Sequence, residues 1–254
     1  MNTVKVKNIT IGQGMPKICV PIVEVTKKEI IEEALSLSNI HVDIVEWRSD
    51  EFEHVEDIEK VKEVLNELIP ALNNIPLLFT FRTSSEGGEK VMDTKAYVEL
   101  NKAVIETGLI DLIDVEAFTG DEIVKDIIER AHEAGVKVIA SNHDFHNTPP
   151  KEEIIYRLRK MQDLGADILK IAVMPKSKLD VLELLEATVI MSEKYCDRPI
   201  ITMSMSKVGV VSRLAGEVFG SALTFGAVKK TSAPGQIGVE QLYEVLQLMH
   251  DSMR

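Results

Sequence analysis

The residues best suited to covalent and acid–base chemistry are a lysine inside one apolar run, a histidine at the end of another and arginines near the ends of three more. Lys170 sits in DILKIAV (167–173). In a strand, residues two apart share a face, so Ile168, Lys170 and Ala172 point one way and Leu169, Ile171 and Val173 the other. The second set suits a layer of helices, which leaves Lys170 facing an interior beside the small Ala172. A lone lysine of this kind usually reaches from a strand edge to water, but here apolar residues flank it on both sides. An amine so placed can add to a carbonyl and form an imine, and burial with cationic neighbours favours its uncharged, nucleophilic form.

His143 follows VKVIASN and precedes Asp144. Of the six histidines, His41, His54, His132, His146 and His250 fall in helical or loop positions, which leaves His143 as the general acid–base. Glu86, in the polar stretch SSEGGE, is placed to orient or charge-tune that imidazole; the same stretch also reads as a solvated loop. Arg48, Arg82 and Arg213 follow three different apolar runs, and guanidinium forks that converge fit an anionic or polyhydroxylated ligand. Glu46, Asp114 and Glu116 stand at run ends too. KKTSAPGQIG (229–238) has the Ser, Pro and Gly content of a mobile lid, in which Ser232 and Gln236 would supply hydrogen bonds to a ligand. Met203, Met205 and Phe225 read as inward packing around that ligand.

Such side chains need a scaffold that gathers the ends of several strands. Eight short runs rich in Ile, Val and Leu serve: 18–23, 42–47, 76–81, 109–116, 136–141, 167–173, 199–205 and 221–228. Amphipathic segments such as 27–38, 58–72, 121–135 and 152–167 lie between them. Gly135 and Gly165 stand where glycines end helices, and Pro76 and Pro199 open strands. Eight strand–helix units in one chain of 254 residues predict a single (β/α)8 TIM barrel over 1–254, with its active site at the C-terminal ends of the strands. No Gly-rich nucleotide turn supports a doubly wound sheet. VKVKNITIGQG, ahead of the first strand, reads as a β-hairpin closing the bottom of the barrel.

The formal net charge of −12, with no Lys/Arg block, argues against nucleic acid and anionic membranes as partners. Cys19 and Cys196 are far apart and signal neither a zinc site nor a disulfide, which fits a reducing cytoplasm. The N-terminus has no apolar core of a signal peptide, and no apolar run has the ~18 residues of a membrane span.

Taken together, Glu46-Trp47-Arg48, Phe81-Arg82-Thr83, Asp114-Val115-Glu116, Ser141-Asn142-His143-Asp144-Phe145, Leu169-Lys170-Ile171-Ala172 and Ser232-Ala233-Pro234-Gly235-Gln236 resemble the signature blocks of type I 3-dehydroquinate dehydratase. The resemblance spans nearly the whole chain. It implies a homodimeric lyase of the shikimate pathway that dehydrates 3-dehydroquinate to 3-dehydroshikimate through an imine, with no metal or cofactor. By position, Lys170 would form the imine, and His143 would shuttle protons with Glu86 as its partner. Arg213, Ser232 and Gln236 would hold the carboxylate and lid-side oxygens, while Glu46, Trp47, Arg48 and Arg82 would complete the substrate site. Pro21 departs from the small hydroxyl residue that some members carry there. Two rival readings share parts of the pattern: an imine-forming barrel of the class I aldolase type, and a non-catalytic barrel that binds a small acid.

Overall fold

β-Branched and leucine-rich runs pack well on a pleated surface that is covered on both faces, and each of the eight runs forms a strand. The structure, a computed structural model, describes residues 3–254. A hairpin comes first, β1 (Val4–Val6) antiparallel to β2 (Ile9–Ile11). Strands and helices then alternate: β3 (Lys17–Ile22), α1 (Lys27–Ser36), β4 (Ile44–Arg48), α2 (Ile58–Ala71), β5 (Leu77–Thr80) and α3 (Thr94–Glu106). The middle of the chain supplies β6 (Leu112–Glu116), α4 (Asp121–Glu133), β7 (Lys137–Asp144), α5 (Lys151–Asp163), β8 (Ile168–Val173) and α6 (Lys178–Ile190). Last come β9 (Ile200–Ser204), the short α7 (Val210–Leu214) and α8 (Gly216–Phe219), β10 (Leu223–Ala227), β11 (Ile237–Gly238) and α9 (Val239–Ser252).

All strands from β3 to β10 pair in parallel, and β3 pairs with β10. The remaining seam, between β9 and β10, closes through a bridge between Ile200 and Ser221 and a 2.8 Å hydrogen bond from the Ala222 amide to the Ile200 carbonyl. The ring is the expected barrel, with the two-residue β11 attached to β10. Side-chain caps at Thr26, Asp57, Asp93 and Ser177 satisfy the first amides of α1, α2, α3 and α6, each typically contributing about 1 kcal/mol. Gly135 and Gly165 take the left-handed conformation after α4 and α5, at φ of 76° and 97°.

Alternation along the strands separates two cores. Leu169, Ile171 and Val173 join the large cluster between sheet and helices. Cys19, Ile44, Leu78, Leu112, Ile139, Ile168 and Ile201 point inward at the lower end of the barrel, and Val4, Val6 and Ile11 of the hairpin pack beneath them. The hairpin is therefore the apolar floor that the sequence suggested. Two residues further along the same strands the inward positions become Glu46, Thr80, Asp114, Ser141, Lys170 and Met203. A dry floor below a polar storey is what sets the charged groups apart from water.

Candidate active site

A cavity opens at the C-terminal ends of the strands, lined by Glu46, Arg48, Arg82, Glu86, His143 and Lys170 among its polar residues. Ala172, Met203, Met205 and Phe225 supply apolar wall, and Ser232, Ala233 and Gln236 descend from the lid segment. Parallel register places Lys170 of β8 opposite Ser141 of β7, and His143 opposite Ala172. The lysine and the histidine thus stand on neighbouring strands, one storey apart.

Lys170 is 3% exposed, and its Nζ donates to Asp114 Oδ2 at 3.2 Å, lies 3.7 Å from Glu46 Oε1 and sits 4.8 Å from the centre of the Phe225 ring. Two carboxylates thus lie within ion-pair reach of Lys170, and the cationic Arg82 shares one of them, Asp114. Asp114 also accepts from Arg82 at 2.7 Å and from the Ser141 hydroxyl at 2.6 Å. Burial would push the Asp114 carboxyl up, but Arg82 and Lys170 outweigh it and hold the group below the usual carboxylate range.

His143 Nδ1 lies 3.0 Å from Glu86 Oε2, and its backbone N–H donates to the same oxygen at 2.9 Å. Burial, reinforced by the positive charges of Arg82, Lys170 and Arg48, drives the imidazole well below its ordinary pKa, so the ring is neutral at physiological pH. Glu86 moves the other way. Burial raises it to about 7, with Glu116 and Asp114 adding to the effect and Arg82 and a hydrogen bond from Asn142 opposing it.

The three arginines have unequal partners. Arg48 is clamped by Asp50 through bonds of 2.8 and 2.7 Å, and Arg82 spends its guanidinium on Asp114, Glu116 and the Ser141 hydroxyl. Arg213 has no carboxylate partner among the described residues. It is 1% exposed on α7, its NH2 donates to the Pro234 carbonyl at 3.0 Å, and its Nε is buried without a partner among the described residues. Burial alone lowers its pKa to about 10. Arg213 does not line the cavity itself; it stands behind Met203 and the lid.

The lid crosses the mouth and is tied at several points. Gln236 bonds both the amide and the hydroxyl of Ser232, Arg48 reaches the Ser232 carbonyl, and Lys229 and Lys230 form ion pairs with Glu33 and Glu24. Trp47 does not belong to the site. It is fully buried on the helix side, edge-on to Phe79 with ring centres 5.6 Å apart, because a residue between inward-facing Glu46 and Arg48 must face outward. Pro21 is buried and pairs with Glu46 in the β3–β4 register, so the first strand offers no side-chain donor at that height.

The family model for type I 3-dehydroquinase matches residues 18–253. This chain belongs to the type I 3-dehydroquinase family. A 3-dehydroquinate dehydratase of Clostridioides difficile (strain 630) is 60% identical over 250 residues, covering 98% of each chain. Another, from Salmonella typhimurium (strain LT2), is 56% identical over 252 residues, 99% of this chain and 100% of that one. The crystal structure of the Clostridium difficile type I enzyme with covalently modified comenic acid superposes with a TM-score of 0.97 over 99% of both chains, at 60% identity. The structure of the Enterococcus faecalis 3-dehydroquinate dehydratase gives 0.91 at 43% identity, over 96% of this chain and 98% of that one.

Within this type I 3-dehydroquinase, three groups of the site carried no role in the sequence reading: Asp114 beneath the lysine, Asp50 on Arg48 and Asn142 on Glu86. For Asp114 a signal existed: an acid in an apolar run, two residues before Glu116, must face the same interior. Nothing local marks the other two.

Proposed function

We propose that this chain is a lyase that dehydrates 3-dehydroquinate to 3-dehydroshikimate through an imine on Lys170, with His143 moving the protons. The observation that carries the reading is a buried lysine and a neutral, Glu86-bound histidine on adjacent strands of one cavity, Ser141 opposite Lys170 and His143 opposite Ala172. Lys170 Nζ adds to the ketone, and loss of water leaves a protonated imine. This electron sink acidifies the adjacent carbon, from which His143 Nε2 takes a proton. The electron pair moves toward the imine nitrogen and returns to expel the hydroxyl, which leaves as water with a proton from His143. Hydrolysis by one water then releases the enone and restores the amine.

Glu46, Arg48 and Arg82 face the ring hydroxyls, and Ser232 and Gln236 close over the oxygens of the ligand. We assign the carboxylate to Arg213, which stands directly behind Met203 of the cavity wall and has no carboxylate partner among the described residues, so that an anion reaching it would supply the missing counter-charge. The comenic acid carried covalently by the Clostridium difficile relative is itself a carboxylic acid with a ring carbonyl, which supports this polarity of site. We extend the proposal to a step of aromatic biosynthesis carried out in the cytoplasm by a homodimer of single-domain subunits. Among the described residues no helix is long and apolar enough to cross a membrane.

Borohydride added with 3-dehydroquinate tests the reading. Reduction is expected to inactivate the protein irreversibly and leave a secondary amine on Lys170, found by mass spectrometry, while untreated protein forms the conjugated enone seen by ultraviolet absorbance. An adduct on Lys229, or inactivation with Lys170 unmodified, would overturn the assignment.

A further inference from the structure

Glu86 is surrounded by donors. Its Oε1 accepts from Asn142 Nδ2 at 3.0 Å, and its Oε2 accepts the His143 backbone N–H at 2.9 Å and faces His143 Nδ1 at 3.0 Å. Asn142, only 8% exposed, is held from its other end: its Oδ1 accepts from Arg157 NH1 at 3.0 Å, across from α5. Arg157 is anchored in turn by Glu153 through a 2.8 Å bond and lies 3.7 Å from Asp144, with its guanidinium 6.0 Å from the centre of the Phe118 ring.

Only one orientation of the Asn142 amide fits these neighbours. A guanidinium has donors and no acceptor, and a carboxylate has acceptors and no donor. A flipped amide would set NH2 against Arg157 and oxygen against Glu86, two repulsive contacts in a buried place. Arg157 therefore decides which atom of Asn142 meets Glu86. The consequence falls on the carboxyl group: Oε1 faces a permanent donor and cannot give a proton there, and the His143 backbone N–H is a permanent donor as well. Of the hydrogen-bond partners of Glu86 among the described residues, the one able to accept a proton is the Nδ1 of His143.

We propose that Asn142, oriented by Arg157, is a positioning residue that confines proton sharing by Glu86 to His143 Nδ1 and so sets which tautomer the imidazole presents to the cavity. The idea rests on His143 being the proton carrier proposed above. With Glu86 ionised, Nδ1 carries the hydrogen and Nε2 has a free pair to take a proton from carbon. The resulting imidazolium passes its Nδ1 proton to Glu86 Oε2, leaving a neutral ring with hydrogen on Nε2. That hydrogen goes to the departing hydroxyl to make water, and the Oε2 proton returns to Nδ1. No proton is gained or lost over the cycle.

The charged groups around this relay are Arg82, 3.6 Å from Glu86, with Asp114 and Glu116 of β6 on the same side. Lys170 and Arg48 act on the imidazole from β8 and β4, and Glu153 and Asp144 flank Arg157. Asn142 is the neutral member that stabilises the ionised form of Glu86, the form the base step needs.

The test uses the full chain with Asn142→Asp, Arg157→Leu and Arg157→Lys, folding being checked by circular dichroism and melting temperature. The first readout is the ¹⁵N spectrum of the His143 ring in the resting protein at pH 8. Wild type is expected to show the Nδ1–H tautomer, Asn142→Asp and Arg157→Leu a mixture of tautomers, and Arg157→Lys a return toward wild type. The second readout is the pH profile of turnover with 3-dehydroquinate. In the first two variants kcat is expected to fall about 10-fold or more with KM within about 3-fold, and the acid limb to move to higher pH because Glu86 protonates more easily. Arg157 is partly exposed on a helix, so its variants test the idea even where Asn142→Asp does not fold. A folded Arg157→Leu with the wild-type tautomer and acid limb, or a change confined to KM, would overturn the proposal. Absence of dehydratase activity in wild type would instead remove the functional reading and leave the ring spectrum to decide the relay.

Discussion

Lys170 Nζ and Asp114 Oδ2 lie 3.2 Å apart, the lysine 3% and the aspartate 0% exposed, with Arg82 on the other oxygen of the same carboxylate. Asp114 is thus the shared counter-ion of two buried cations. Removing one member of such a set leaves uncompensated charge, and Asp114→Ala is expected to lower unfolding stability by about 3 kcal/mol or more. Denaturant titration checks this. Because the folded pKa of Asp114 lies below the unfolded value of about 3.9, its contribution is present above that pH and lost as the pH falls through the folded value, so the gap between wild type and variant is expected to narrow in acid. An equal gap at pH 7 and in acid would show that the carboxylate charge is not what the variant removes.

His143→Ala is expected to lose about 10²–10⁴-fold in kcat while still yielding a borohydride-trapped adduct on Lys170, since the amine remains and only the proton carrier is gone. Mass spectrometry of the trapped variant reads imine formation apart from turnover. Near-normal turnover would remove His143 from the mechanism.

The pH dependence follows from Glu86, raised by burial to about 7. Above that value the carboxylate holds the Nδ1 hydrogen and leaves Nε2 free; below it the proton on Oε2 puts hydrogen on Nε2 and removes the base. The kcat/KM of the free enzyme is therefore expected to fall roughly tenfold per unit below about pH 7. In Glu86→Gln this limb should vanish, with kcat lower by about 10-fold for the lost charge-assisted hydrogen bond. A limb that persists unchanged in Glu86→Gln would assign it to another group.

Arg213 is buried with no carboxylate partner among the described residues, and burial lowers its pKa to about 10. Replacing it by leucine is expected to leave the unliganded protein as stable as wild type or more so, because an unpaired buried charge costs free energy. KM for 3-dehydroquinate should rise by about 10–100-fold, the worth of charge-assisted hydrogen bonds of roughly 1.5–3 kcal/mol. Melting curves with and without a small carboxylic acid ligand separate the two effects: the ligand-induced rise should be present in wild type and lost in Arg213→Leu.

Gly235 has φ of +82°, and a Cβ there would lie 2.4 Å from the Ser206 carbonyl oxygen, a contact with backbone that cannot yield cheaply. Gly235→Ala is expected to lift the lid. Limited proteolysis at Lys229 and Lys230 should accelerate, and KM should rise because Ser232 and Gln236 lose their place over the cavity. Cleavage as slow as in wild type, with KM unchanged, would show that the segment is a fixed connection.

Much of the fold was legible because its signals are local. Each of the eight apolar runs forms a strand, and Gly135 and Gly165 end helices where they were expected. Strand ends were less clear. The run 136–141 continues as β7 to Asp144, which puts His143 inside the strand, because polar residues that face a cavity still pair along the ladder. Trp47 was expected in the substrate site, but the structure turns it outward into the helix-side core, since Glu46 and Arg48 on either side of it share the inward face.

The sequence alone determined which side chains look into the barrel, since period-two alternation is a property of a single strand and places Lys170 inward and Leu169 and Ile171 outward whatever the neighbours are. Only the tertiary structure decided which of them meet. Lys170 and Asp114 are 56 residues apart, Glu86 and the His143 imidazole 57, and Arg48 and the lid carbonyl of Ser232 184. Whether one inward residue reaches another depends on the stagger between strands and on which loop folds across the mouth. The closed ring sets both, and no local pattern along the chain carries them.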